Sequence, residues 1–146
     1  MQKISRQVLV ISSLIELADI IFKYFAITRL PESGRVVFPI DFILHKNPGI
    51  AFDIKIPLIL IILLTGFIVL ALVYLAKKEF TACQPRAIGA IVIIIGALGN
   101  AFDRILNGFT TDYIILFGRS VINLSDILII SGTLFLLWYN KEKETV

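Results

Sequence analysis

Asp103, Asp112 and Asp126 follow one another closely in a chain whose neighbouring runs are otherwise suited to lipid. The first stands in Gly96-Ala97-Leu98-Gly99-Asn100-Ala101-Phe102-Asp103-Arg104, and the last closes Asn123-Leu124-Ser125-Asp126. An ionisable group on a membrane span costs about 2.5 to 3.5 kcal/mol at the helix centre and less toward the ends, so a cluster of them calls for a chemical reason. Asp112 lies in the short connection between two apolar runs whose facing ends meet the same membrane boundary, so it and Asp126 can come within a few ångströms. Close carboxylates cannot both ionise easily and share a proton. One member can then take a proton from water attacking a peptide carbonyl while the other donates to the developing oxyanion, the chemistry of an aspartic protease. It requires no metal.

Other chemistries have little material. A single cysteine, Cys83, and a single histidine, His45, form neither a disulfide framework nor a zinc site of usual spacing. A net charge of +3 comes from basic residues scattered over short flanking segments, which argues against a nucleic-acid surface.

The elements that must hold the aspartates are apolar helices. With 58% hydrophobic residues and a mean hydropathy of +0.91, the chain reads as an integral membrane protein. Its 146 residues suit one compact domain. Apolar runs over residues 7–27, 56–76, 87–106 and 122–139 are near spanning length and predict an all-α four-helix transmembrane bundle. Pro57 suits the first turn of the second. The first reads as a retained anchor: it is long, carries charge and lacks a small-residue cleavage site. Residues 36–52, with Pro39 and Asn47-Pro48-Gly49, suggest short strands and a turn, a small extracytoplasmic β element. Residues 141–146 read as a tail. Lys3 and Arg6, Lys77, Lys78 and Arg86, then Lys141 and Lys143 mark one side, which predicts both termini inside and residues 28–55 and 107–121 outside.

Several polar groups carry two readings. Glu16, Asp19 and Lys23 share a helical face with Ser12, as a structural Asp19–Lys23 ion pair or as direct help at an active site. Asn100, Asp103 and Arg104 share a face near the outer helix end, as an interfacial anchor beside small-residue packing at Gly96 and Gly99, or as part of a site. Asn123 and Asp126 suit a helix N-cap and its first turn equally well.

Taken together, Asp19 with Lys23, Asn47-Pro-Gly49-Ile-Ala51-Phe52, the Gly96 to Arg104 segment, Asp112 and Asn123-Leu-Ser-Asp126 make the chain resemble the signal peptidase II family of bacterial membrane aspartyl proteases over nearly its whole length. The resemblance implies a catalytic pair at Asp112 and Asp126, with Asn47, Gly49, Asn100, Asp103, Arg104 and Asn123 in support. It implies cleavage of diacylglyceryl-modified prolipoproteins just before the lipidated cysteine, at the outer face of the inner membrane. The expected partners are that signal peptide and membrane lipid, with no cofactor, no metal and a monomeric state. Asn47 and Arg104 are expected to bind substrate carbonyls, and Asn100, Asp103 and Asn123 to orient the carboxylates. Phe38, Phe42 and Phe52 would lie over the substrate at the membrane surface. Thr110-Thr111-Asp112-Tyr113 departs from the family's usual two valines and phenylalanine, Ser125 from a small apolar residue, and the segment between Asp112 and Asn123 is short. A different class, a proton-linked carrier or channel component using Asp19, Asp103 and Asp126, lacks the repeat symmetry expected of it.

Overall fold

In the computed structural model, the described residues are 2–32, 37–50, 54, 56–82 and 84–144, with side chains described over 6–32, 37–50, 54, 56–79 and 85–139. Arg35, Val36, Ala51, Phe52, Lys55 and Cys83, and the side chains of Lys3, Lys141 and Lys143, lie outside these ranges.

Four long helices, α1 (Gln2–Arg29), α2 (Leu58–Ala82), α3 (Gln84–Asn107) and α4 (Leu124–Glu144), take up the four apolar runs. α4 continues through most of the residues expected to form a tail. Pro57 stands just before α2 and not in its first turn, its carbonyl accepting from the Leu60 and Ile61 amides at 2.9 and 3.2 Å. Ile122 belongs to a strand, and α4 starts only at Leu124 because Asn123 caps it.

Leu58–Glu79 and Pro85–Asn107 are long and apolar enough to cross a membrane, whereas the apolar part of α4, Leu124–Tyr139, is shorter. Only 6% of the α2 stretch is buried in the protein, leaving Ile59, Leu63, Phe67 and Leu70 exposed. A soluble core helix would be covered; apolar surface all round fits lipid as its solvent. α3 is the hub, packing on α1, α2 and α4. Its approach to α4 is close at Gly96, where a Cβ would collide with the Ser125 carbonyl oxygen.

A three-stranded antiparallel sheet completes the fold in the order β1 (Ile40–Asn47), β2 (Thr110–Leu116) and β3 (Ser120–Ile122). The expected β element is thus larger than residues 36–52, since two of its strands follow α3. The run Thr-Thr-Asp-Tyr-Ile-Ile-Leu is rich in β-branched and aromatic residues, which suits a pleated strand. Phe117 and Gly118 take positive φ of 51 and 64° in a turn closed by the Arg119 amide on the Leu116 carbonyl at 3.1 Å.

Candidate active site

The site begins with the local chemistry of the α4 N-terminus. Asn123 Oδ1 accepts the Asp126 amide at 2.8 Å, while Asp126 Oδ2 accepts the Asn123 amide at 3.3 Å. This reciprocal capping box satisfies two amides that a helix start leaves unpaired. Asp19 Oδ1, from α1, accepts the Leu124 amide at 2.9 Å, so a third is also satisfied. The cap reading and the site reading of Asn123 and Asp126 therefore describe the same atoms: the cap fixes the rotamer that leaves Asp126 at the mouth of a cavity.

Strand geometry supplies the second carboxylate. Side chains alternate across β2, so Thr110 and Asp112 share one face while Thr111 and Tyr113 share the other. The second face is turned to the helices: Tyr113 Oη donates to Asp19 Oδ1 at 2.8 Å, and the Thr111 amide and hydroxyl reach Asp103 at 2.6 and 3.2 Å. β1 slips by one residue between Phe42 and His45, pairing Phe42 with Ile114 but His45 with Asp112 and Asn47 with Thr110. Without that bulge, Leu44 and Lys46 would occupy the Asp112 face. With it, Asn47 Nδ2 donates to Asp112 Oδ2 at 3.1 Å and its Oδ1 accepts the Gly49 amide at 3.0 Å.

One buried network joins the carboxylates. Asn123 Nδ2 donates to Asp112 Oδ1 at 2.7 Å and approaches Asn100 Oδ1 at 3.1 Å. Asn100 Nδ2 donates to Asp126 Oδ1 at 2.8 Å, and Asn100 Oδ1 accepts from Lys23 Nζ at 2.8 Å. Lys23 Nζ also lies 2.9 Å from Asp19 and 3.6 Å from Asp103, all three being almost wholly buried. The two readings of the Asp19–Lys23 pair thus merge, because the ion pair that ties α1 to α3 also orients Asn100. Ser125 Oγ lies 2.6 Å from Asp19 Oδ2 and 3.0 Å from Glu16 Oε2, and Glu16 rests where a Cβ at Gly99 would be. Ser125, polar where a small apolar residue is expected, thereby has two acidic partners on α1.

Asp112, Asp126, Asn47, Thr110, Arg104 and His45 line a cavity of about 480 Å³ whose remaining wall includes Val121, Ile122, Ile129 and Ile130. Burial pushes the Asp112 carboxyl from 3.8 up to about 7, and the negative charge of Asp126 adds to the effect; donors from Asn47 and Asn123, with His45, oppose it. Such a group can hold a proton near neutrality and still give it up.

One expected role changes and another is extended. Asp103 does not touch either carboxylate of the cavity: its oxygens take the Thr111 amide, the Asn107 amide side chain at 2.7 Å and the Lys23 charge, so it anchors β2. Asn47 gives one amide hydrogen to Asp112 and accepts the Gly49 amide on its oxygen, which makes it a support of Asp112 whose second N–H can still donate. Arg104 Nη2 donates to the Gly49 carbonyl at 3.1 Å, holding the Asn47-Pro48-Gly49 turn against α3. Phe38, just before β1, and Phe42 within it are exposed, while Phe52 lies outside the described residues. Tyr113 and Thr111 are functional supports that residue type alone did not single out; their alternation with Asp112 was the available signal.

An outward-facing apolar helix set carrying a cavity lined by two carboxylates, one buried and one at its mouth, defines the chain as a membrane enzyme. The family model described as signal peptidase (SPase) II matches residues 11–140. The chain is 31% identical to a lipoprotein signal peptidase of Clostridium novyi, over 81% of this chain and 86% of that one. It is 30% identical to one from Halalkalibacterium halodurans, over 81% and 83%. A solved structure described as a bacterial membrane enzyme superposes with a TM-score of 0.82, covering 94% of this chain and 89% of its own at 22% identity, which speaks to fold. The chain belongs to the signal peptidase II family and is a peptidase.

Proposed function

We propose that the chain is an aspartyl endopeptidase that removes the signal peptide from diacylglyceryl-modified prolipoproteins, cutting just before the lipidated cysteine. The relatives named above are lipoprotein signal peptidases, which supports the substrate class and displaces the carrier reading. The observation that carries the mechanism is that Asp112 and Asp126 line one cavity and are bridged by Asn123, which bonds to both.

The pair works with one shared proton. Its ionised member takes a proton from water as the water oxygen attacks the scissile carbonyl, and its acid member protonates that carbonyl oxygen. Collapse of the tetrahedral intermediate returns a proton to the leaving amine. Asn100 and Asn123 fix both carboxylates in rotamers that face the cavity, and Asn47 steadies Asp112. The apolar wall of Val121, Ile122, Ile129 and Ile130 suits a substrate that is part peptide and part lipid.

The 146 residues act as one membrane-embedded monomer with four spans, the two shorter or more charged helices completing the bundle. Exposed Leu14, Leu17 and Ile21 on α1 and Ile130, Leu134 and Leu137 on α4 support lipid contact for both. The sheet follows one end of α3, and Lys77, Lys78 and Arg86 flank the other, which supports an outer-face site with both termini cytoplasmic.

The test is cleavage of a diacylglyceryl-modified prolipoprotein by the purified protein in detergent, beside Asp112→Asn and Asp126→Asn and with a chelator. Cutting before the lipidated cysteine that both substitutions abolish and the chelator leaves intact is the expected result. A variant that keeps the wild-type rate would remove the carboxylate pair from the mechanism.

A further inference from the structure

One residue of the cavity wall, Thr110, carries a polar atom with no assigned work. Thr110 Oγ1 is buried and has no hydrogen-bond partner among the described residues, and the residue is 2% exposed. Its neighbours are unlike it: the hydroxyls of Thr111, Tyr113 and Ser125 are all paired. Thr110 lines the same cavity as Asp112, Arg104 and Asn47. A buried hydroxyl left without a partner is destabilising, whereas valine has the same shape and no such penalty. A hydroxyl kept at this point of the cavity lining therefore points to a partner that arrives with the substrate.

Spacing says what the partner is. Thr110 and Asp112 are alternate residues on one face of β2, about 6.6 to 6.8 Å apart along the strand. An extended peptide repeats its backbone polar groups on one side with the same period. A chain that reacts at Asp112 therefore presents another peptide group at Thr110. Arg104 adds a constraint, because its Nε is also buried without a partner among the described residues. A guanidinium can only donate, so the group that answers this wall is a carbonyl.

We propose that Thr110 is a substrate-binding residue whose hydroxyl, with Arg104, donates to a backbone carbonyl of the signal peptide two residues from the scissile bond. This deepens the reading of Asp112 and Asp126 as the catalytic pair and rests on it. Because the contact is made to an unreacting amide, it holds substrate and transition state alike and so acts on KM more than on kcat.

The experiment compares wild type, Thr110→Val and Thr110→Ser as full-length proteins in detergent. The substrates are a diacylglyceryl-modified prolipoprotein peptide and two versions in which the amide two residues before or after the cut is replaced by an (E)-alkene. Thr110→Val is expected to raise KM about 5- to 10-fold, the loss of one neutral hydrogen bond, with kcat within about twofold. Its melting temperature is expected to equal or exceed that of wild type. Thr110→Ser retains the hydroxyl and is expected to keep KM within about twofold. One alkene peptide should weaken wild type more than it weakens Thr110→Val, which keeps only the Arg104 bond to that carbonyl. Unchanged KM in Thr110→Val overturns the proposal, as does a lowered melting temperature, which would show that the hydroxyl is paired inside the protein. If wild type cleaves none of the peptides, the reading of the site itself fails; if it cleaves them and the variants do not differ, only the role of Thr110 fails.

Discussion

Replacing Asp112 by asparagine is expected to abolish cleavage and to stabilise the protein at alkaline pH. Burial and the Asp126 charge lift the Asp112 carboxyl from 3.8 to about 7, about three units. At about 1.4 kcal/mol per unit, the ionised form carries a penalty of about 4 kcal/mol in the fold. The sign follows from proton binding: between these values the folded protein holds more protons than the unfolded chain, so stability falls as pH rises and levels off above about 7. The substitution removes that dependence. It also creates a local conflict, because Asn47 and Asn123 both donate to this side chain and an amide has one oxygen for the two donors. That mismatch costs about 1 to 2 kcal/mol at every pH. The variant should therefore be about as stable as wild type near pH 5 and more stable by about 2 kcal/mol near pH 8.5, while activity drops by about 100-fold or more. Thermal unfolding in detergent from pH 5 to 9, followed by Trp138 fluorescence, reads the difference. A gap that stays flat across this range, or that closes as pH rises, refutes the account of Asp112.

The same carboxylate sets a pH limit on wild-type activity: the rate should fall as pH rises through about 7, when the pair loses its shared proton, and Asn47→Ala, which removes a donor to the ionised form, should move that limb upward by about one unit in a kcat/KM profile. Asn123→Ala should lower kcat by about 100-fold and stability by about 1 to 2 kcal/mol, read by kinetics and denaturation together, because the residue caps α4 and bonds to Asp112. Lys23→Met leaves Asp19 and Asp103 buried without their cation and should cost about 3 to 5 kcal/mol, seen as a collapse in monodisperse yield that Lys23→Met with Asp19→Asn partly restores. Gly99→Ala should destabilise the protein by driving a Cβ into the Glu16 carboxylate, and Glu16→Ala in the same chain should relieve it, a non-additivity measured by melting temperature.

Features carried by short sequence spacing are legible in the sequence. The i,i+4 pair of Asp19 and Lys23 is the ion pair found on α1, and Asn123 with Asp126 three residues on is the capping box found on α4. Apolar run length located all four helices, although α1 starts at Gln2 and not at residue 7, and α2 and α4 run on to Ala82 and Glu144 past the expected 76 and 139. What did not show was whatever depends on register between strands. β2 reads as a connection because its apolar half, Tyr113 to Leu116, is short and its first half is polar. The partner of Asn47 could not be foreseen, since one extra residue in β1 decides which side chains face Asp112. Asp103 misled for a related reason: it shares a helical face with Asn100, yet the strand beyond the turn brings the Thr111 amide to it first.

These particulars explain why this site tolerates charge where lipid would forbid it. Lys23 is shared by Asp19, Asp103 and Asn100, and each of those three then reaches a different element: Asp19 the start of α4 and Tyr113, Asp103 the start of β2, Asn100 the carboxylate of Asp126. One cation therefore sets the position of both strands of logic that end in the cavity, the strand carrying Asp112 and the helix carrying Asp126. Buried ion pairs contribute little net stability compared with apolar packing, because desolvation offsets their attraction. Their use here is geometric. An apolar contact at position 23 could hold α1 against α3, but it could not satisfy the donors and acceptors that orient two carboxylates from elements far apart in sequence.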